Sequence, residues 1–391
     1  MTSPPKSRTA THVVRAGLES DSQFGAVVPP IYLSSNFAFD GYRQPRSRYD
    51  YTRSGNPTRD LLGAAIADLE GGAGGIVTCT GLAAITLILA TLPSGSRVLA
   101  PHDCYGGTFR LLGAMARQGN LAVDFVDQND EAAVRAALAH EPELVWIETP
   151  SNPLLRIVDI RKLSDAAHAV GALVVADNTF LSPIWQQPLG LGVDLVMHST
   201  TKYLNGHSDV VGGVVVCRNE EQHGAFSWWA NALGVTGAPF DSFLTLRGLR
   251  TLHARARVHE QNTAVLVDLL GAHEAVSHVY YPGLATHPGH EIARMQQSGF
   301  GAMVSFELRG GEPAVRAFLQ GLKCFSLAES LGGVESLIAH PGSMTHAAME
   351  ADALERAGIG SGLLRLSVGI EDAGDLRQDL LAALGRAAIS R

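Results

Sequence analysis

The stretch from His198 to Gly213 reads HSTTKYLNGHSDVVGG and places one lysine among hydroxyl-bearing and small residues. It continues an apolar run that begins at Val193. This run predicts a buried strand, so Lys202 is expected to stand where that strand ends. A lysine there loses part of its hydration, which favours the neutral amine and makes Lys202 a candidate to form a Schiff base with a carbonyl group. The ordinary alternative is a lysine that extends its ammonium group to solvent.

Short strand-like runs alternate with helical patterns around this stretch. The runs are GGIVTC, SRVLAP, VDFVD, ELVWIETP, ALVVADN, VDLVMHS and VVGGVVVC, and the helical segments between them include DEAAVRAALAH and DIRKLSDAAHAVG. This alternation predicts an α/β fold with a mainly parallel sheet covered by helices on both faces. Ligands of such sheets bind beyond the carboxyl ends of the strands, and we expect the site there.

Three regions of the chain differ in their pattern. Residues 1–58 show little periodicity and predict an extended arm or loop that contacts a neighbouring subunit. Residues 59–258 hold the alternating elements, beginning with a helix that stops at Gly71-Gly72. Residues 259–391 mix strands and helices and predict a smaller α+β domain. A helical pattern over residues 241–273 predicts one long or broken helix.

Composition excludes several classes of protein. The 391 residues are 46% hydrophobic and 17% charged, which predicts a folded chain with much of its surface removed from water, including surface between subunits. The net charge of −8 argues against nucleic-acid and anionic-membrane partners. Four scattered cysteines without a CxxC pair predict a reduced, cytoplasmic setting and no metal site, and no apolar run reaches the length of a signal peptide or a membrane span.

Two further groups of residues suit one flat, phosphorylated cofactor. In ADNTF, Asp177 ends the strand-like run before that of Lys202, and a carboxylate there can pair with a pyridine nitrogen. In TCTGL, the N–H groups of Gly81 and Leu82 would open a helix and cradle a phosphate, with Ser199 and Thr201 adding hydroxyl groups. The ordinary alternatives are turn formation for the aspartate and strand-end capping for the hydroxyls.

Two more residues complete this chemistry. Tyr105, in PHDCYGGTFRLL, can stack on a flat ring and take part in acid–base work, although a lone tyrosine is usually a packing residue. Arg365, in LLRLSVGIED, can grip a carboxylate with two parallel bonds, and a surface salt bridge is its ordinary alternative. Each feature alone has an ordinary explanation. Together they follow one another along the chain as phosphate cradle, ring-stacking tyrosine, pyridine partner, lysine and carboxylate-binding arginine. This conjunction predicts a pyridoxal-phosphate enzyme.

Several long motifs carry a resemblance to a known family. The motifs DYTRSGNPTRD, APHDCYGGTFRLL, PSNPLLRIVDI, VADNTFLSP, HSTTKYLNGHSDVVGG and LAESLGGVESL resemble the Cys/Met-metabolism family of pyridoxal-phosphate enzymes, from about Thr11 to about Ala388. The resemblance implies the aspartate-aminotransferase-like fold of fold type I, with pyridoxal 5'-phosphate bound covalently to Lys202. It implies that Asp177 pairs with the pyridine nitrogen and Tyr105 stacks on the ring. The implied phosphate ligands are Gly81, Leu82, Ser199, Thr201 and, from a neighbouring subunit, Tyr51 and Arg53.

The resemblance also implies a substrate class and an assembly. Asn152, Ser330 and Arg365 match positions that receive a substrate's α-carboxylate. Asp50, Arg110 and Glu329 match polar positions of the pocket, and a glutamate directly before the serine of ESLGG favours chemistry at Cγ. The implied reaction replaces the acyl group of an O-acylhomoserine, most simply the succinyl ester, with cysteine to give cystathionine. Family members are typically homotetramers built from two dimers.

Other functions stay open at this point. The nearest rival cleaves cystathionine to cysteine, 2-oxobutanoate and ammonia, and the residues named above do not separate the two directions. Homocysteine-forming and methionine-cleaving members are further alternatives, as is a ligand-binding scaffold without catalysis. His198 and His207 are predicted to be supporting or packing residues.

Overall fold

The computed structural model describes residues 9–345, 354 and 357–389. The chain divides into two compact units, of which the first comprises Met1–Pro93 with Val174–Ala254 and the second Ser94–Leu173 with Arg255–Arg391. Residues 1–8 of the predicted arm, including Lys6, lie outside the described residues. The predicted domain boundaries after residues 58 and 258 stay predictions.

Helices and strands alternate through most of the described chain. The helices are α1 (Thr9–Arg15), α2 (Pro57–Glu70), α3 (Gly81–Ala90), α4 (Gly106–Arg117), α5 (Glu131–Leu138), α6 (Ile160–His168), α7 (Ser182–Trp185), α8 (Glu220–Leu233), α9 (Pro239–Leu249), α10 (Leu252–Ala272), α11 (His290–Gln296), α12 (Gly311–Leu319) and α13 (Ala373–Ile389). The strands are β1 (Phe39–Gly41), β2 (Gln44–Pro45), β3 (Gly74–Thr78), β4 (Ser96–Pro101), β5 (Leu121–Val126), β6 (Leu144–Glu148), β7 (Leu173–Asp177), β8 (Leu195–Ser199), β9 (Gly213–Cys217), β10 (Val276–Tyr280), β11 (Met303–Leu308), β12 (Ser326–Leu327), β13 (Leu337–Ala339) and β14 (Leu363–Ser367). Short 3-10 helices cover Pro188–Leu191 and Pro341–Ser343.

In the first unit, four strands lie in the order β3-β9-β8-β7. β7 and β8 are parallel, whereas β9 runs antiparallel to both β8 and β3. Helix α3 packs against β8 and β9, and α2 packs against β3. Strand β8 is apolar up to His198 and is buried from Leu195 to His198, as the sequence predicts.

In the second unit, β4 lies between β5 and β6, and both pairs are parallel. Five further strands form the order β10-β11-β14-β13-β12, in which β14 is antiparallel to both of its neighbours. Helices α12 and α13 pack together, and Phe318 of α12 contacts Phe306 of β11 with 5.6 Å between ring centroids. The predicted mixture of strands and helices after residue 259 is confirmed.

Local signals account for several element ends. Asn56 caps α2 by accepting the N–H groups of Thr58 and Arg59, and the helix ends at Gly71, whose φ of 78° lies in the left-handed region that glycine tolerates. The helical pattern over residues 241–273 is broken, because α9 ends at Leu249 and α10 begins at Leu252.

The extended arm or loop predicted for residues 1–58 also holds short regular elements among its described residues. It contains α1, whose Val13 is fully buried, and the short hairpin of β1 and β2. Short elements of this kind are stabilised by packing against the rest of the chain, which a periodicity argument does not detect.

Among the described residues no helix is long and apolar enough to cross a membrane.

Candidate active site

The predicted phosphate ligands Gly81 and Leu82 are the first two residues of α3. The hydroxyl oxygen of Thr80 caps the helix by accepting the N–H of Ala83 at 2.8 Å. The N–H groups of Gly81 and Leu82 precede that bond and have no partner within the helix by its geometry. A Cβ atom added to Gly81 would lie 2.9 Å from Cβ of Ser199, so glycine is needed for β8 to approach this helix end. The structure therefore places Gly81, Leu82 and Ser199 together.

Thr201 and Lys202 lie in the turn that follows β8. The hydroxyl oxygen of Thr201 accepts the N–H of Gly212 at 3.0 Å. The N–H of Lys202 donates to the carbonyl oxygen of Ser199 at 3.3 Å, and its own carbonyl accepts the N–H of Gly206 at 2.8 Å. These bonds fix the backbone of a half-buried lysine three residues beyond the strand end, close to the predicted position.

Asp177 is the last residue of β7, and its register partner on β8 is Met197. Its Oδ1 accepts the N–H of Thr179 at 3.0 Å. Burial raises the pKa of the Asp177 carboxyl group above its ordinary value, against the hydrogen bonds from Thr179, which lower it. A cationic nitrogen placed against this carboxylate would favour its ionised form.

Three predicted arm residues are exposed. Tyr51 has 49% of its surface exposed, and the guanidinium of Arg53 lies 5.5 Å from the centre of its ring. Arg53 also donates to Oδ1 of Asn231 at 2.7 Å. Asp50 accepts the hydroxyl of Ser54 at 2.6 Å, and this bond holds the pKa of the carboxyl group below its ordinary value. Their predicted contacts with a neighbouring subunit stay predictions.

In the second unit, Tyr105 directly precedes α4. Its N–H donates to Oε2 of Glu148 at 2.8 Å, and 40% of its surface is exposed. Glu148 is buried at the end of β6. Local sequence does not predict this role, because nothing near Glu148 in the chain shows that it holds a backbone group 43 residues away. Arg110 lies exposed on α4.

Arg365 is the centre of a second cluster. It is 3% exposed on β14, its Nη1 donates to Oδ1 of Asn152 at 2.7 Å, and its Nη2 donates to the carbonyl oxygen of Ser330 at 3.0 Å. Ser330 has a φ of 93°, and Glu329 beside it is exposed. The structure thus brings together the three residues predicted to receive an α-carboxylate.

The groups of the first unit fit pyridoxal phosphate by their chemistry. A helix N-terminus and a serine hydroxyl suit the phosphate, a carboxylate suits the pyridine nitrogen, and a primary amine suits the aldehyde. Gly81 adds a steric observation, since a side chain there would fill the cradle beside Ser199. The residues present therefore fit this cofactor by their chemistry.

Comparisons with known proteins agree with the geometry. The family described as "Cys/Met metabolism PLP-dependent enzyme" matches residues 10–385. Cystathionine gamma-synthase of Escherichia coli (strain K12) is 55% identical over 95% of this chain and 97% of its own length. Cystathionine gamma-lyase of Dictyostelium discoideum is 45% identical over 99% of this chain and 100% of its own.

A solved structure extends this likeness to three dimensions. Cystathionine gamma synthase from Xanthomonas oryzae pv. oryzae, in complex with cystathionine, is 62% identical with a TM-score of 0.97, and the match covers 99% of this chain and 100% of that one. The predicted fold and cofactor are confirmed. The chain belongs to the Cys/Met-metabolism family of pyridoxal-phosphate-dependent enzymes and has their type I fold.

Proposed function

We propose that this enzyme joins an O-acylhomoserine, most simply O-succinylhomoserine, to cysteine and releases the acyl group as a carboxylate, giving cystathionine. The observation that carries this proposal is the 55% to 62% identity to gamma-synthases of two bacteria over nearly the whole chain. The Dictyostelium gamma-lyase and a Lactococcus lactis cystathionine beta-lyase are 45% and 46% identical. Replacement at Cγ breaks a carbon–oxygen bond and forms a carbon–sulfur bond at the same carbon.

The first unit would hold the cofactor. Pyridoxal phosphate supplies an electron sink for the charge that develops when a proton leaves the substrate's Cα. Lys202 would bind it covalently and, once released, move protons at Cα and Cβ. Asp177 would keep the pyridine nitrogen protonated. The phosphate would be held by Gly81, Leu82, Ser199 and Thr201, with Tyr51 and Arg53 contributed by a neighbouring subunit.

The second unit would bind the substrate. Arg365 suits an α-carboxylate because its planar guanidinium offers parallel N–H donors, and its bonds to Asn152 and Ser330 fix that plane. Tyr105 would stack on the cofactor ring and assist proton movement. Arg110 and Glu329 would line the distal, polar part of the pocket, as would Asp50 of the predicted arm.

We further propose a cytoplasmic homotetramer. The exposed arm supports the oligomer, since Phe24 and Leu33 are 83% and 68% exposed and Tyr51 and Arg53 also face outward. None of the four cysteines, which all lie among the described residues, forms a disulfide, and this fits a reducing compartment. Sedimentation of the purified protein at several concentrations would measure the assembly.

A steady-state comparison tests the reaction. With cysteine present, we expect O-succinylhomoserine to be converted to cystathionine with a kcat/KM at least about tenfold above that for cleavage of cystathionine. A tenfold difference in kcat/KM corresponds to about 1.4 kcal/mol in the activation barrier. O-acetylhomoserine in the same assay measures the choice of leaving group. A higher kcat/KM for cystathionine cleavage would instead assign the enzyme as a gamma-lyase.

Replacing Arg365 with lysine tests the carboxylate site. We expect Arg365→Lys to raise the KM for the amino-acid substrate about 10- to 100-fold, because a lysine forms no bidentate bond and the bond from Nη1 to Asn152 is lost. The matched control is Arg309→Lys, because Arg309 lies exposed just beyond β11 and its Nε donates to the backbone carbonyl of Glu274. An unchanged KM in Arg365→Lys would remove Arg365 from the substrate site.

A further inference from the structure

A buried carboxylate behind the site joins two strand ends. Glu70 is the last residue of α2, and its Oε1 accepts the Nε2–H of His198 at 2.6 Å and an Nδ2–H of Asn178 at 2.9 Å. The side chains of Glu70 and His198 are fully buried. A carboxylate buried to this extent is costly unless it is hydrogen-bonded, so these two bonds constrain the groups that donate them.

The residues bonded by Glu70 adjoin the residues proposed to bind the cofactor. Asn178 directly follows Asp177 at the end of β7, and His198 directly precedes Ser199 at the end of β8. A single carboxylate oxygen therefore ties the strand that carries the pyridine partner to the strand that carries a phosphate ligand. Gln186 strengthens the link, because its Nε2 donates to Oδ1 of Asn178 at 3.0 Å.

A second link joins Asp177 and Ser199 by a different route. The N–H of Thr179 donates to Oδ1 of Asp177, and its hydroxyl oxygen accepts the N–H of Ser199 at 2.9 Å. Asp177 and Ser199 are thus related through Thr179 directly and through Glu70 by way of their chain neighbours. Both links constrain the separation between a ring-nitrogen partner and a phosphate ligand.

We propose that Glu70 and His198 are positioning residues, which hold Asp177 and Ser199 at the separation that the two ends of one pyridoxal phosphate require. The proposal rests on the cofactor roles proposed above for Asp177 and Ser199. Electrostatics supports it: burial raises the pKa of Asp177 overall, and nearby His198 opposes part of that rise. A displacement of about 1 Å at a reacting centre costs about 100-fold in rate, so a rigid link here affects catalysis.

Two substitutions break the link in different ways. Glu70→Gln keeps the volume but removes the charge and turns one oxygen into a donor. His198→Asn removes the Nε2 donor, whereas His198→Gln retains an amide N–H at about the same reach. We expect the Kd of pyridoxal phosphate for the apoprotein to rise about 10- to 100-fold in Glu70→Gln and His198→Asn, because each variant loses one or two charge-assisted bonds. In His198→Gln the bond to Glu70 is kept, so the Kd should stay within about threefold of the wild-type value. Titration of the apoprotein, followed by tryptophan fluorescence, measures this constant without relying on turnover.

The opposite ends of the same strands provide a matched control. Asp194 precedes β8, and its Oδ2 accepts the N–H of Val174 in β7 at 2.9 Å. Asp194→Asn weakens a link between the same two strands, but far from the proposed cofactor ligands. We expect it to lower the thermal midpoint of the apoprotein while leaving the cofactor Kd within about threefold of the wild-type value.

The outcomes separate the link from the site itself. Unchanged Kd values in Glu70→Gln and His198→Asn would overturn the proposal, as would an equal loss in Asp194→Asn. Asp177→Asn is the reference variant. If it too binds the cofactor with the wild-type Kd, the result would refute the proposed role of Asp177 itself. Should Glu70→Gln and His198→Asn fail to fold, Gln186→Met removes the bond from Gln186 Nε2 to Oδ1 of Asn178. A rise in Kd is expected there, and an unchanged Kd would overturn the proposal.

Discussion

Lys202→Ala is expected to lower kcat at least about 10⁴-fold, because removal of a residue that forms a covalent bond and also transfers protons eliminates both contributions together. The variant should also lose the covalently attached cofactor. Mass spectrometry of the borohydride-reduced protein measures this directly, since reduction fixes a cofactor joined to a lysine and leaves an unattached one removable. The backbone bonds of Lys202 do not involve its side chain, so the fold should be retained.

Lys162→Ala is the control for that experiment. Lys162 lies on α6, is 64% exposed and pairs with Glu131 on the surface. Exposed ion pairs contribute about 0 to 1 kcal/mol, so turnover and cofactor content should match the wild type. Wild-type turnover in Lys202→Ala, or a reduced cofactor found on a different lysine, would refute the assignment of Lys202.

Asp177→Asn is expected to lower kcat about 10³-fold, because an amide cannot keep the pyridine nitrogen protonated and the electron sink is weakened. Volume and the acceptor for the N–H of Thr179 are retained. Steady-state kinetics with saturating cofactor measures the loss. A kcat within about threefold of the wild type would show that Asp177 has another role.

The same substitution, which is expected to lower kcat, should raise the thermal stability of the apoprotein near pH 8. Burial raises the pKa of Asp177, so the carboxyl group favours folding below its unfolded-state pKa and loses that contribution as pH rises through its folded-state pKa. Asparagine does not ionise, so apo Asp177→Asn should unfold at a higher temperature than the wild type near pH 8. The difference should shrink toward pH 4, in thermal scans at about these two values. A lower midpoint near pH 8 would contradict the role of burial.

Local sequence predicted the strands of the sheet and the places of several candidate site residues near the ends of those elements. An unbroken apolar run followed by polar residues predicted β8 and the position of Lys202 near its end, because hydrophobic patterning decides which strands are buried. The TCTGL stretch predicted a phosphate cradle for a similar reason, since a helix N-terminus exposes its first N–H groups wherever it forms. Motifs then connected these residues with one cofactor.

The sequence by itself determined the family and predicted which residues carry the chemistry, but the tertiary structure decided what holds those residues in place. The N–H of Tyr105 bonds Glu148 over 43 residues, and Glu70 meets Asn178 and His198 over 108 and 128 residues. Glu70 ends α2, and its neighbours in the sequence predict only an ordinary polar residue at a helix terminus. Its burial follows from the packing of α2 near the strands, and a buried carboxylate must then find donors wherever the fold supplies them. Patterns along a chain specify elements, whereas partners so distant in sequence are set only when those elements pack.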